Sequence, residues 1–317
     1  MSPAGAARRV LVTGGAGFIG SHVVERLLRD GAQVVVLDDL STGLRTNLPE
    51  HPSLTLHVGD AVEADAVARA IDGCVAVVHL AAVASVQRSV EDPIGTHRAN
   101  LVATLQVLEA ARLHGVRRIV YASSAAVYGD AAPLPADEGA PLAPLSPYAI
   151  DKLAGERYLQ HYARTFGLEA VALRFFNVYG PRQRADSPYS GVISRFVDRL
   201  VRGDTIEVFG DGRQTRDFVA VADVADAVVR SLEAPLTDRV LVANVGTGRG
   251  TDLLELLEAL GGVLDRPVRP PLHGPAREGD VRDSRADVAR LRSALGTWAP
   301  RDLKTGLASL VRASGVV

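Results

Sequence analysis

The sequence predicts an α/β fold: a doubly wound parallel sheet followed by a smaller C-terminal α/β lobe. Three observations carry this. Short apolar strands alternate with helical runs from Val10 to Phe175, the pattern that builds a parallel sheet covered on both faces. The first strand, Val10–Val12, runs straight into a glycine-rich turn and then a helix. After Gly180-Pro181-Arg182 the strands shorten, and arginine and proline become more frequent. The expected division is a first domain over 1–180, with 219–245 returning to it, and a second lobe over 181–218 and 246–317.

The elements follow in order. Gly14, Gly17 and Gly20 fall between the first strand and a helix over Ser21–Arg29. Glycines there permit a tight turn and close backbone approach to a pyrophosphate at the helix N-terminus. The second strand, Gln33–Leu37, ends at Asp38-Asp39. A carboxylate at that distance suits the adenosine ribose hydroxyls and repels a 2′-phosphate, which favours NAD over NADP. Leu54–Val58 is a third strand, and Asp60 after it either accepts from the adenine amino group or caps the helix Ala64–Ile71. Val75–Leu80 is a buried strand opening into Ala81-Ala82, small residues that leave room for a ligand at the sheet edge. His79 within it reads as a packed histidine, and Cys74 before it as core or turn filler. A long helix is expected over Gly95–Leu113, carrying Asn100, and the next strand, Ile119–Ala122, delivers Ser123-Ser124. The stretch from Gly129 to Ser146 reads as a loop long enough to be functional. Glu169–Phe175 completes the first set of strands, and the second lobe presents its arginines to an anionic substrate.

Composition narrows the function. With 47% hydrophobic and 23% charged residues in a chain of 317, a large core is available. A net charge of −2 gives no general attraction to nucleic acid or an anionic membrane. A single cysteine excludes an internal disulfide and fits a reducing, cytoplasmic setting. Only about ten residues precede the first strand, too few for a signal peptide, and no apolar run is long enough to span a bilayer. No metal site is expected.

The sharpest chemical signal is Ser146-Pro147-Tyr148-Ala149-Ile150-Asp151-Lys152. Ser146 suits an N-cap and Pro147 the first helical position, so Tyr148 and Lys152 share a helix face one turn apart. Of 35 basic residues only Lys152 and Lys304 are lysine. A lysine kept against that bias marks a place where a planar guanidinium does not serve. An ammonium beside a phenol favours the phenolate, a base usable near neutral pH. An ordinary surface helix gives the same spacing, and the dinucleotide features are what weigh against it.

Nine segments in this order, TGGAGFIG, DDLSTG, GD at 59–60, HLAA, ASSAAVYG, YAIDK, LRFFNVYGPRQ, FGDGRQTRDFV and REGDV, make the chain resemble the extended short-chain dehydrogenase/reductases. The resemblance runs from about Val10 to Asp287 and is to NAD-dependent nucleotide-sugar epimerases of the UDP-glucose 4-epimerase kind, with a Rossmann-type domain. It implies that Gly14, Gly17, Phe18, Ile19 and Gly20 hold the pyrophosphate of NAD. Asp38, Asp39, Ser41, Thr42 and Gly43 would surround the adenosine ribose, and Asp60 and Ala61 the adenine. Leu80, Ala81, Ala82, Asn100, Ser123 and Phe175 would line the cofactor groove. Ser124 would bond the sugar C4 oxygen, Tyr148 act as base and Lys152 bind the nicotinamide ribose. Ser85, Val86, Ala125, Ala126, Val192 and Val208 would lie along the UDP-sugar. Asn177, Arg216 and Arg277 would hold its diphosphate, with Ile193 at the uracil and Asp280 at its ribose.

The same resemblance sets the competing activities apart. Related dehydratases place Asp-Glu after the catalytic hydroxyl, and related decarboxylases carry a glutamate in that loop; here Ala125-Ala126 stand there. Non-catalytic NAD-binding sensors lose the tyrosine–lysine pair, which is present. Arg195 matches an arginine carried by UDP-glucuronate 4-epimerases, and either reads a sugar carboxylate or points to solvent with Arg199 and Arg202. Ser284 stands where a bulkier tyrosine often narrows the sugar pocket. The expected reaction is UDP-glucuronate/UDP-galacturonate interconversion, with UDP-glucose/UDP-galactose next and the N-acetylhexosamine pair third. Family members often form homodimers through helices matching Gly95–Leu113 and Tyr148–Phe166, where Val102, Leu105, Tyr158 and Tyr162 would serve a dimer face or the core.

Overall fold

The structure is a computed structural model that describes residues 8–130, 132–183, 191–275 and 281–315. Its strands are β1 (Arg9–Thr13), β2 (Gln33–Asp38), β3 (Leu54–Val58), β4 (Ala76–His79), β5 (Arg118–Ser124), β6 (Glu169–Phe175), β7 (Asn177–Tyr179), β8 (Glu207–Phe209), β9 (Thr215–Arg216), β10 (Phe218–Ala220), β11 (Val240–Val245), β12 (Thr251–Asp252) and β13 (Leu272–Gly274). Its α-helices are α1 (Phe18–Arg29), α2 (Ala64–Ile71), α3 (Val86–Glu91), α4 (Pro93–His97), α5 (Ala103–Leu113), α6 (Pro147–Phe166), α7 (Val192–Arg202), α8 (Val221–Ser231), α9 (Leu253–Leu264), α10 (Ala289–Leu295) and α11 (Leu303–Ala313).

Seven strands form one sheet in the order β11-β6-β5-β4-β1-β2-β3. The β3–β2–β1–β4–β5 neighbours are all parallel. The order reverses between β1 and β4, the topological switch point where open α/β sheets bind ligands beyond the strand C-termini. Val10, Leu11, Val12, Val34, Val35 and Val36 are buried, as expected of continuous β-branched and apolar runs covered on both faces. β11 lies at the far edge of the sheet, beside β6.

The chain divides into two units: Met1–Ser124, Ser146–Arg174 and Ala225–Ala243 in one, and Ala125–Leu145, Phe175–Val224 and Asn244–Val317 in the other. The expected boundaries at 180 and 219 therefore shift. The loop after Ser124 belongs to the second unit because its polar groups find partners there. The Tyr128 hydroxyl donates to Asn244 Oδ1 at 2.7 Å. Asn244 Nδ2 in turn donates to the carbonyls of Ala136 and Asp287. The second unit has its own core, built from Tyr179, Ile193, Phe196, Leu200, Val208, Leu256, Leu257, Leu260 and Leu307 among others.

One helix differs from expectation. The run expected as a single helix over Gly95–Leu113 is α4, a π-helical turn over Arg98–Val102, and α5. The wider turn carries Asn100, which is buried. Its Oδ1 accepts from Val83 N at 2.7 Å while its Nδ2 donates to Val83 O. Asn100 thus clips the chain that leaves β4, a structural use typical of π turns beside functional segments.

Candidate active site

The glycine turn is built for close approach. Gly14 has φ +69°, and a Cβ there would lie 2.8 Å from Ala81 N. A Cβ at Gly20 would lie 2.1 Å from Gly14 O, so neither position accepts a side chain without moving backbone. The N-cap of α1 is Gly17, with no side-chain capping bond and no acidic residue in the first turn. The amides of that turn are left to an anionic ligand, and Phe18 and Ile19, half-buried, begin the helix. Asp38 ends β2 buried, its Oδ2 accepting from Ala16 N and its Oδ1 from Leu40 N, both at 2.9 Å. Burial pushes its carboxyl up, against these two amides. A Cβ at Gly43 would meet Asp38 Oδ1 at 2.7 Å, so glycine lets the 39–43 loop fold over the carboxylate. Asp39 Oδ1 holds Ser41 N and Oγ. This cradle fits NAD: an open helix start, no Cβ against the turn, and a fixed carboxylate where β2 ends.

The floor at the switch point is set by Thr13. Its Oγ1 accepts from Leu80 N and Ala81 N and sits 2.7 Å from His79 Nδ1. Thr104 donates its hydroxyl proton to Asn100 O, so it receives one from His79 Nε2. Nδ1 then accepts from Thr13, which fixes the tautomer. Burial pushes His79 down to about 3; the ring is neutral packing, as the sequence reading has it. Asp60 accepts from Val62 N in a local turn.

The catalytic candidates come together in the first unit. Ser146 caps α6, accepting from Ala149 N at 3.2 Å, with Pro147 in the first turn and Gly167 closing the helix at φ +75°. The cap sets the helix start, and so places Tyr148 and Lys152 on the sheet side. The Ser124 hydroxyl, at the end of β5, hydrogen-bonds the Tyr148 phenol and lowers its pKa, while burial raises it more. Lys152 is buried, donates to Ala122 O at 2.8 Å, and lies 5.9 Å from the centre of the Tyr148 ring. Burial brings its ammonium down to about 8, with the nearby Asp151 charge acting the other way. Tyr121 lies under the lysine, 5.0 Å from ring centre to Nζ. It fits against α6 because residue 155 is glycine: a Cβ there would stand 2.4 Å from the Tyr121 hydroxyl.

The remaining expected contacts divide. Ala125 and Ala126 occupy a 3-10 turn after β5 and Ser85 caps α3, with Val86 exposed beside it. In the second unit Asn177 is exposed on β7, and Arg216 on β9 donates to Thr215 O and Arg282 O. Val192 and Arg195 are half-buried in the first turn of α7. Arg277 and Asp280 lie outside the described residues. Five of the expected residues are packed inward. Ile193 and Val208 are core side chains of the second unit, 2% and 1% exposed, and Ala61 is a core side chain of the first. Phe175 is likewise buried. Ser123 is buried, with its hydroxyl donated to Glu156 Oε1, which makes it internal support.

Sequence reasoning missed that support. Glu156 on α6 and Arg174 on β6 form a bidentate pair, Nε to Oε1 at 2.9 Å and Nη2 to Oε2 at 2.8 Å, with both side chains 3% exposed or less. It also missed Asp217, which is fully buried and accepts from Thr247 N, Thr247 Oγ1, Gly248 N and Ala286 N. Glu156 follows Lys152 by one helical turn, and that spacing was the available signal.

A family model, the NAD dependent epimerase/dehydratase family, matches residues 10–246. The chain belongs to that family. It is an extended short-chain dehydrogenase/reductase of the nucleotide-sugar epimerase kind, and its cofactor is NAD. It is 44% identical to the UDP-glucose 4-epimerase of Mycolicibacterium smegmatis, covering 96% of this chain and 97% of that one. Among solved structures it is similar to Thermus thermophilus UDP-glucose 4-epimerase in complex with NAD, with TM-score 0.86, 38% identity, and 98% and 100% of the two chains covered. It is also similar to MoeE5 in complex with UDP-glucuronic acid and NAD, with TM-score 0.86, 38% identity, and 97% and 99% covered. Among the described residues no helix is long and apolar enough to cross a membrane, and no group of three or more metal-ligating side chains occurs.

Proposed function

We propose that this NAD-dependent UDP-sugar 4-epimerase interconverts UDP-glucose and UDP-galactose. The observation that carries inversion at C4 is the grouping of the Ser124 hydroxyl, the Tyr148 phenol and the buried Lys152 ammonium. The sugar rests on the names of relatives such as the M. smegmatis enzyme. Tyr148 takes the proton of the C4 hydroxyl, and Ser124 donates a hydrogen bond to the C4 oxygen as charge develops on it. Lys152 holds positive charge beside the phenol so that it ionises. NAD, when bound, supplies the acceptor and later the donor of the C4 hydride. The 4-keto sugar turns over, Tyr148 returns its proton, and C4 is inverted. Gly14, Gly17, Gly20 and Asp38 would hold the cofactor, and Asn177, Arg216, Arg277 and Asp280 the nucleotide. Ala125 and Ala126 offer no acid or base for eliminating water, which supports epimerisation over dehydration.

A second reading, the UDP-glucuronate/UDP-galacturonate pair, is favoured by Arg195. It is half-buried, whereas Arg199 and Arg202 on the same helix are exposed, so it does not simply share their solvent face. MoeE5, with UDP-glucuronic acid bound, is among the similar structures. Separate turnover assays on UDP-glucose and UDP-glucuronate decide between the two. The first reading expects galactose product as the faster. If Arg195 reads a carboxylate, Arg195→Ala lowers glucuronate turnover by about ten- to a hundredfold, the worth of a charge-assisted bond, and leaves glucose turnover alone. Equal losses on both sugars would remove the second reading.

A homodimer belongs to the same proposal. Val86, Val90 and Ile94 on α3 and α4, and Ile150 and Tyr158 on α6, are exposed apolar side chains of the first unit, an uncommon grouping for a monomer surface. Val102 and Tyr162 pack instead against the core. Light scattering on the purified chain should give twice the monomer mass; a monomer at assay concentration would count against it.

A further inference from the structure

The first unit holds a buried carboxylate that the reaction above leaves unused. Asp151 lies on α6 between Tyr148 and Lys152 and is 4% exposed. Its Oδ1 is 2.7 Å from His97 Nδ1. Its Oδ2 is buried with no hydrogen-bond partner among the described residues. His97 ends α4, just before the π turn, and its side chain is half open to solvent. An under-satisfied buried carboxylate is costly, and a neutral residue at 151 would remove that cost. What Asp151 does offer is a buried carboxyl group, held by His97, one position from Lys152 on α6.

Among the described residues, the other titratable groups on and against α6 are otherwise engaged, neutral or exposed. On α6 the neighbouring titratable groups are Tyr148 and Glu156, and Glu156 is matched by Arg174 on β6. β5 contributes the Tyr121 phenol and β4 the neutral His79. α4 contributes His97. On α3, Arg88 and Glu91 are exposed. Arg98 in the π turn is exposed and paired with Glu63, and Glu109 on α5 is paired with Arg112. We propose that Asp151, anchored by His97, is a positioning residue for the Tyr148–Lys152 pair, supplying the negative charge that keeps the ammonium beside the phenol. This rests on the C4-epimerase reading, and it adds two residues to the machinery of that reaction.

The sign of the effect separates this role from a structural one. If Asp151 acts through Lys152, removing its charge makes the ammonium lose its proton sooner, so the alkaline limb of kcat/KM falls. The phenol, losing a neighbouring cation, then ionises at higher pH. If Asp151 acted directly on the phenol, removing its charge would let the phenol ionise at lower pH.

The test is Asp151→Asn in the NAD-loaded enzyme. The alkaline limb should drop by about one pH unit, with KM for the UDP-sugar unchanged. Ultraviolet titration of tyrosinate, referenced to the matching Tyr148→Phe protein and made without UDP-sugar, should move up. His97→Ala, which strips Asp151 of the contact that anchors it, should copy Asp151→Asn. His97→Gln, which keeps an amide donor, should restore the wild-type profile. Superimposed profiles for Asp151→Asn and wild type, or a tyrosinate titration that moves down, would overturn the proposal. If Asp151→Asn fails to fold, the His97 variants decide it: equal profiles for Ala and Gln overturn it. A wild-type protein that turns over no UDP-sugar would instead sink the epimerase reading, and the tyrosinate titration would still report on Asp151.

Discussion

Tyr148→Phe should lower kcat by about a thousandfold, within the range for losing a general base, with KM for the UDP-sugar and the NAD content of the protein little changed. The substitution removes one oxygen from a ring whose packing stays in place, so the loss reports proton transfer. The surroundings of the phenol explain the size. Burial raises the Tyr148 pKa and lowers that of Lys152 to about 8, so each group alone leans toward its neutral form. Together they can exchange burial cost for mutual attraction: phenolate beside ammonium is favoured where either charge alone is not. Ser124 adds a hydrogen bond that favours the ionised phenol. In wild type, turnover should therefore rise with pH as Tyr148 ionises and fall once Lys152 loses its proton. In Tyr148→Phe the residual rate should lose the rising limb. A variant within tenfold of wild type, or one that keeps that limb, would show that another group is the base.

Much of this arrangement can be read from residues before any coordinates. Strand–helix alternation gives the sheet, and Ser146-Pro147 with Gly167 bounds α6 because caps are local chemistry. The glycine turn is legible for the same reason: Gly14 and Gly20 stand where any Cβ would strike backbone. The misses have a common physical origin. The π turn at Arg98–Val102 depends on Asn100 finding both polar atoms of Val83, a pairing set by tertiary placement. The packing of Ile193 and Val208 is likewise set by tertiary placement, since the second unit builds a core of its own. The loop 125–145 follows β5 in sequence but belongs to the second unit, since Asn244, which accepts from the Tyr128 hydroxyl, and Asp287, whose amide donates to Ala136 O, lie more than a hundred residues on. Long-range pairs of this kind leave no periodic trace.

The Glu156–Arg174 pair is the largest such case, and its stability effect should be large. Glu156→Ala leaves the Arg174 guanidinium buried and deprives the Ser123 hydroxyl of its acceptor. Breaking a buried pair on one side costs about 3–5 kcal/mol, which for a chain of this size is a fall in Tm of roughly 5–8 °C. Differential scanning calorimetry of the NAD-loaded protein reads it, and a fall of under about 2 °C would show that the pair carries little. The double variant Glu156→Leu with Arg174→Leu separates stability from alignment. Replacing both partners with apolar side chains is often neutral or better, so much of the Tm should return. The rate should not return with it. The pair ties α6 to β5 through Ser123 and to β6 through Arg174, and Lys152 and Tyr148 sit one and two turns up the same helix. Without those hydrogen bonds α6 keeps its packing but loses its register against Ser124, and small misplacements of reacting groups cost heavily. Recovery of kcat together with Tm would mean that packing alone holds the catalytic helix in place.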